Sequence, residues 1–292
     1  RRGLSEKEIL EVLFVDESDE RDAPSYKSHL LAECERNRHF LPTNPRRIPI
    51  VIWSRLYSDV VPYLTERTAP GSEVITWHHG QIARWAKDRF VNQANWNPNN
   101  KLAAYFESQR QDISFAVSDR SHLSGSSTGE CFVSPAARRV VDELPWHLKK
   151  ANAWSELTAL LIDLPFFSAL FNVNMDEATS YWATIEQHLG PTAVEAYSRE
   201  CGDNTDYSKA WNIAKVFSGL GYIDDAIDCQ DKVLRSVGSS GTSIQQAAVL
   251  NNLATLLVSR NELDRAREFA AKAREHYQRI YEETGTIYDG FC

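Results

Sequence analysis

Apolar and polar positions along the chain follow a helical rhythm for most of its length. Behind Ser5-Glu6-Lys7-Glu8 the apolar residues Ile9, Leu10, Val12 and Leu13 form one short face. Ser5 and Glu8 stand at capping-box spacing: the hydroxyl accepts from the amide three residues on, and the carboxylate reaches back. That spacing predicts a helix over 5–14. The acidic run from Asp16 to Asp22 reads as a solvated loop, and a weaker helix is expected over 26–36. Pro42, Asn44, Pro45 and Pro49 break the pattern. Ile52, Leu56, Val60 and Leu64 then recur at every fourth position, a helical stripe. Pro62 must kink or end it, because proline lacks the amide hydrogen and clashes with the preceding turn. Ala69-Pro70-Gly71-Ser72 reads as a turn, Val74–Trp77 as a strand, and Ile82, Ala86 and Phe90 as one face of a helix starting near His79. Short helices around a β-hairpin predict a winged-helix-like unit.

After Pro135 the pattern is helical almost to the end. Shifting the sequence by 40 positions lays Ile213-Ala214 on Leu253-Ala254, Phe217 on Leu257, Gly221 on Asn261, Ile223 on Leu263, Ala226 on Ala266 and Val233 on Ala273. Small residues let two helices approach closely, and Gly or Asn tolerates the left-handed conformation that ends the first of them. This matches the tetratricopeptide pattern, although that repeat is usually about 34 residues long. The extra residues are expected in Ser236 to Ile244, between the two copies. The stretch from Leu144 to Leu161, with Leu148, Asn152, Trp154 and Leu157, has the same shape. The fold class is therefore mainly α: a winged-helix-like unit followed by an α-solenoid of tetratricopeptide-like helix pairs. The expected divisions are 1–106 for the winged-helix-like domain, 107–136 for a Ser/Gly-rich flexible linker, 137–200 for a degenerate helical-repeat leader, and 201–292 for the repeats.

Composition sharpens this picture without changing it. With 42% hydrophobic residues and 8 Trp, 11 Tyr and 12 Phe, the 292-residue chain can bury a large core. Five scattered cysteines with no Cys-x-x-Cys fit free thiols in a reducing compartment, so a cytoplasmic location is expected. No apolar run has the roughly 18–20 residues a membrane span needs, and Asp163 and Pro165 interrupt the strongest one. The start at Arg1-Arg2-Gly3 reads as an internal cut in a longer polypeptide. Net charge is −8, yet residues 1–106 carry 15 Lys and Arg against 14 Asp and Glu. Neither half has the concentrated basic surface of a nucleic-acid binder.

Catalytic motifs are missing. There is no G-x-x-x-x-G-K-[ST], G-x-G-x-x-G or H-E-x-x-H, and Gly125–Glu130 imitates a phosphate loop without its Lys. The tandem His78-His79 is poorly arranged to share a metal ion, since neighbours on a strand face opposite ways; one imidazole is expected in solvent and the other capping the next helix. Asp224-Asp225 and Glu282-Glu283 read as solvated helix faces, and Trp146, Trp154, Phe166, Phe167, Tyr181 and Trp182 as packing residues. No catalytic residue, metal ligand or resident cofactor is expected.

Three runs carry a resemblance. Ile52-Trp53-Ser54-Arg55-Leu56-Tyr57, Pro62-Tyr63-Leu64-Thr65-Glu66-Arg67 and Trp77-His78-His79-Gly80-Gln81-Ile82 resemble the region after the nucleotide-binding module in STAND-class signalling NTPases. The nearest kind is the NACHT-type proteins with tetratricopeptide tails, the nephrocystin-like group. Glu143–Leu148, Leu160–Leu164, Tyr181-Trp182 and Ala193–Tyr197 fit the segment leading into the repeats. Gly80 departs from the pattern, which tends to have Arg there. The resemblance implies a regulatory and sensing fragment whose winged-helix part clamps an upstream nucleotide-binding domain. That domain would hold ADP or ATP, with His79 near its phosphate. A rival expectation is a DNA-binding winged helix with a repeat-built effector domain, reading DNA through Arg84, Lys87 and Arg89. A third is a free-standing tetratricopeptide scaffold. If the repeats read a ligand, their first helices should line the inner face. Lys209, Asn212, Lys215, Asn251, Asn252 and Thr255 are then the expected exposed groove positions, suited to a protein or peptide partner.

Overall fold

The computed structural model describes residues 3–12, 50–69, 72–91, 97–111, 113, 134–197, 207–240 and 243–285. They are mostly helical and fall into two compact units, divided between Ala153 and Trp154. The helix expected over 26–36 and the Ser/Gly-rich run lie outside the described residues.

The first unit opens with α1 (Glu6–Val12), and its capping box forms as its spacing requires. Ser5 N donates to Glu8 Oε2 at 2.7 Å and Glu8 N donates to Ser5 Oγ at 3.2 Å. Helix α2 (Ile50–Val60) stops where Pro62 demands, in a 3-10 turn over Val61–Tyr63. The strands β1 (Leu64–Ala69) and β2 (Ser72–Trp77) then pair antiparallel, with Leu64 opposite Trp77. Leu4 bridges to Ile75 on β2. The buried face of α2 differs from the expected stripe: Leu56 is exposed, and Trp53 is the residue packed on Leu10. Trp53 wins because its indole Nε1 also reaches Glu6 Oε1 at 2.6 Å, so burial leaves no donor unpaired. Helix α3 (Gly80–Ala86) begins at His79 and passes into a π turn over Lys87–Val91.

Helix α4 (Pro98–Gln111) runs past the expected domain end at 106 into the expected linker. It packs on α5 (Pro135–Ala151). Helix α5 therefore belongs to the first unit rather than to a leader for the repeats. A buried ionic cluster ties it there. Arg139 Nε donates to Glu8 Oε1 at 2.8 Å and its Nη1 to Glu143 Oε1 at 2.7 Å. His147 lies against Asn99 Oδ1 at 3.0 Å and 3.5 Å from Glu143 Oε2. Burial alone would raise Glu143, but its contacts with His147 and Arg139 hold it at about 2. For His147, burial is the largest influence and, with the positive charge of Arg139 nearby, leaves the imidazole below its ordinary value although Glu143 pulls the other way.

The second unit starts with α6 (Trp154–Ile162), α7 (Leu164–Val173), α8 (Met175–Leu189) and α9 (Ala193–Tyr197). Their apolar faces meet at Tyr197, whose hydroxyl donates to Leu161 O at 2.6 Å and accepts from Trp182 Nε1 at 3.2 Å. Of the six aromatics assigned to packing, Phe166, Phe167, Tyr181 and Trp182 are buried, while Trp146 and Trp154 are half-buried. Four more helices follow: α10 (Tyr207–Leu220), α11 (Ile223–Ser240), α12 (Ser243–Ser259) and α13 (Leu263–Thr284). Sequential neighbours pack on one another, making two helix hairpins in contact through α11 and α12.

The 40-residue register holds at its turns and crossings. Gly221 has φ 89° and Asn261 φ 64°. Each sits in the same cap: Tyr222 N donates to Phe217 O at 2.8 Å, and Glu262 N to Leu257 O at 2.9 Å. Ala214, Ala226, Ala254 and Ala266 are all buried. The looser copy shares the cap, since Asn152 has φ 58° and Ala153 N donates to Leu148 O at 3.0 Å. The extra residues, however, do not form a connecting loop. Helix α11 continues to Ser240 and α12 starts at Ser243, so most of them lengthen the second helix. Val233 and Val237 keep an apolar face on that extension, which favours continued helix over a loop.

Candidate functional site, a polar recess between the two hairpins

The six expected groove residues do not share one environment. Asn251 and Thr255 are exposed on α12, and the Thr255 hydroxyl is turned back to Asn251 O at 3.0 Å. Lys209 and Lys215 are half-buried on α10. Asn212 and Asn252, expected to be exposed, are instead buried at 4% and 6%. They lie 40 residues apart, at the same point of the two hairpins, and both side-chain Nδ2 atoms lack any hydrogen-bond partner. The reason for their burial lies in the spacing. Each follows the buried small or apolar residue two positions back, Ala210 or Leu250, and precedes Ile213 or Leu253. A first helix of each hairpin is thus covered on more of its circumference than a surface stripe would be.

Between α10, α11 and α12 lies a recess of about 30 Å³, lined by Ala214, Lys215, Ser218, Gln230, Asn252 and Thr255, with Leu256 at its wall. Three of the six expected residues therefore meet there, namely Lys215, Asn252 and Thr255. Sequence reasoning missed Gln230, which comes from the second helix, is 1% exposed and has no partner for its Oε1. The signal was present as a lone carboxamide on the apolar face that holds Ala226, Cys229 and Val233. Lys215 Nζ stands 5.2 Å from the centre of the Trp211 ring, and burial pulls its ammonium below the ordinary lysine value. No carboxylate contacts Lys215 among the described residues.

An unmet buried donor or acceptor costs about 1–3 kcal/mol. Gln230 and Asn252, each with one such atom, line the recess beside a half-buried ammonium, a combination that favours a polar guest over an empty interior. The recess can hydrogen-bond and charge-stabilise a guest through Lys215, Ser218, Thr255 and its two carboxamide side chains.

In the first unit His79 is exposed and precedes α3 as its cap residue. Its side chain makes no capping bond; Nε2 lies 3.0 Å from His78 Nδ1 instead. Arg84, Lys87 and Arg89 are exposed. Among the described residues no group of His, Cys, Asp and Glu is placed to hold a metal ion. Nor, among them, is any single helix long and apolar enough to cross a membrane. No family model matches the chain, and neither a curated protein nor a solved structure matches it.

Proposed function

We propose that the chain is a protein-binding and regulatory fragment whose two C-terminal hairpins, read as tetratricopeptide-like repeats, hold an extended segment of a protein partner. The observation that carries this is the pair Asn212 and Asn252: equivalent positions, both buried, both with an amide donor unsatisfied. Nδ2 donors repeated at one point per hairpin suit the carbonyl groups of an extended chain, which recur at regular intervals and in any sequence. Lys215 and Thr255, themselves equivalent positions, add polar contacts beside them. The surface is short of the many cations that a phosphate backbone needs.

By the resemblance to STAND-class NTPases, the first unit is a winged-helix-like clamp for a nucleotide-binding domain elsewhere in a longer protein. Its order of helix, hairpin and helix and the exposed imidazole of His79 support that reading. ADP or ATP then belongs to the neighbouring domain, and this chain catalyses nothing itself. The DNA-binding alternative has the exposure of Arg84, Lys87 and Arg89 in its favour, and steeply salt-dependent binding to duplex DNA would establish it.

The test is to pan a phage-displayed random dodecapeptide library on the wild-type chain and on the combined Asn212→Asp/Lys215→Glu/Asn252→Asp variant. The wild type should enrich a family of peptides that the variant does not retain. No enrichment, or the same peptides at equal yield on both, would overturn the reading.

A further inference from the structure

Two residues that line the recess between the hairpins each keep one unpartnered polar atom, a donor on one and an acceptor on the other. Asn252 Nδ2 and Gln230 Oε1 belong to side chains more than nine-tenths buried, and neither atom has a partner. Both residues line the same recess, with Lys215 and Thr255 beside them. A hydrocarbon guest would bury both groups permanently unpaired. A carboxylate would satisfy Asn252 and Lys215, yet it would press its lone pairs on Gln230 Oε1. A main-chain peptide unit sends its C=O and N–H in opposite directions, so it cannot offer both to one small cavity. A side-chain carboxamide carries oxygen and NH₂ on one carbon, pointing the same way.

We propose that this recess is a specificity pocket for the carboxamide of an asparagine or glutamine in the bound segment. The guest oxygen accepts one of the two Asn252 Nδ2 hydrogens, the other being left for a main-chain carbonyl of the segment, and the guest NH₂ donates to Gln230 Oε1. The proposal rests on the peptide-binding reading above and names the side chain that reading left open. The complementarity survives reversal of both host amides, because the guest amide reverses with them. Size agrees: about 30 Å³ exceeds the 10–15 Å³ that a single water requires, so a group the size of a carboxamide enters by displacing about two waters. Lys215 gives the guest oxygen a second donor at the rim, and a neutral guest leaves its stacking on Trp211 undisturbed.

The experiment uses the 292-residue chain and a peptide taken from the dodecapeptide panning. That peptide is synthesised with Gln, Glu or Met at the position where the selected family has Asn or Gln. Calorimetry should give about 10-fold weaker binding for both the Glu and the Met versions, since a site built to hydrogen-bond its guest rejects analogues that leave it unpaired. Gln230→Leu should weaken the Gln peptide by a similar factor and leave the Met peptide within about 2-fold; Gln230→Met serves as the second variant if Leu lowers the melting temperature. A Glu peptide as tight as the Gln peptide would overturn the proposal in favour of a carboxylate pocket. Equal binding of all three peptides would mean that the recess holds only water. Groove-dependent peptides with no Asn or Gln position would sink this inference alone. Failure to select any peptide would sink the peptide-binding reading as well.

Discussion

The two units differ in the kind of polarity they bury, charged pairs in the first and neutral carboxamides in the second. In the first, Glu8, Arg139, Asp142, Glu143 and His147 are buried together, and each side chain has an ion-pair or hydrogen-bond partner, although Glu143 Oε2 and His147 Nε2 themselves carry no hydrogen bond. In the second, Asn212, Gln230 and Asn252 are buried just as deeply but keep atoms that meet nothing. Paired buried charge specifies a structure: it fixes α5 against α1 and α4, since any other docking would strand an ion. Unpaired buried amides do the reverse. They make the isolated chain less stable than an apolar equivalent, a cost expected where a protein keeps groups ready for a guest.

The largest effect should come from breaking the paired side. Arg139→Met leaves Glu8 and Glu143 without their cation and should cost about 3–5 kcal/mol in urea unfolding of the first unit. A cost near zero would erase the contrast between the units. Next come the helix crossings. Ala226→Leu or Ala266→Leu should overpack the hairpins and cost on the order of 1–3 kcal/mol, read as a lower melting temperature of the second unit. Unchanged melting in both variants would mean that the 40-residue register does not describe the packing.

A smaller effect is the pH dependence of the first unit. His147 has its folded value depressed by burial, so the unfolded chain takes up that proton first as pH falls below about 6.5. Stability should therefore decline from that point toward lower pH, and His147→Gln should flatten the decline. Glu143, held at about 2, acts in a lower window: its contribution is present above the unfolded value and is lost as pH falls toward 2. Stability that rises between pH 7 and 6 would contradict this assignment for His147. The smallest effect should be no effect: ATP added to this chain alone should give no heat of binding in calorimetry, because no phosphate cradle is encoded. Tight binding would contradict the reading.

Much of the local structure was legible in the sequence because the physics is local. The Ser5–Glu8 box, the stop at Pro62, and the left-handed Gly221 and Asn261 each depend on residues within one turn. The hairpin crossings were legible because small residues mark close approach. What stayed hidden depends on distant neighbours. The burial of Trp53 instead of Leu56 needs Leu10 and Glu6, more than 40 residues away in sequence. The membership of α5 in the first unit needs Glu8, 131 residues from Arg139. The groove was half legible. Repetition picked out Asn212 and Asn252, but not that they are buried, and Gln230 has no counterpart in that repetition to single it out from the apolar face it sits on.

The central claim is that Asn212 and Asn252 are kept for a guest and not for the fold. It is tested most directly by measuring melting temperature and peptide binding together for Asn212→Leu/Asn252→Leu. Leucine matches asparagine in heavy-atom count and removes each orphaned donor, worth about 1–3 kcal/mol apiece. The double variant should melt at the same or a higher temperature than the wild type while losing the peptides that the wild type selects. A variant that melts lower and still binds those peptides would show that the two amides serve the fold, and would contradict the account.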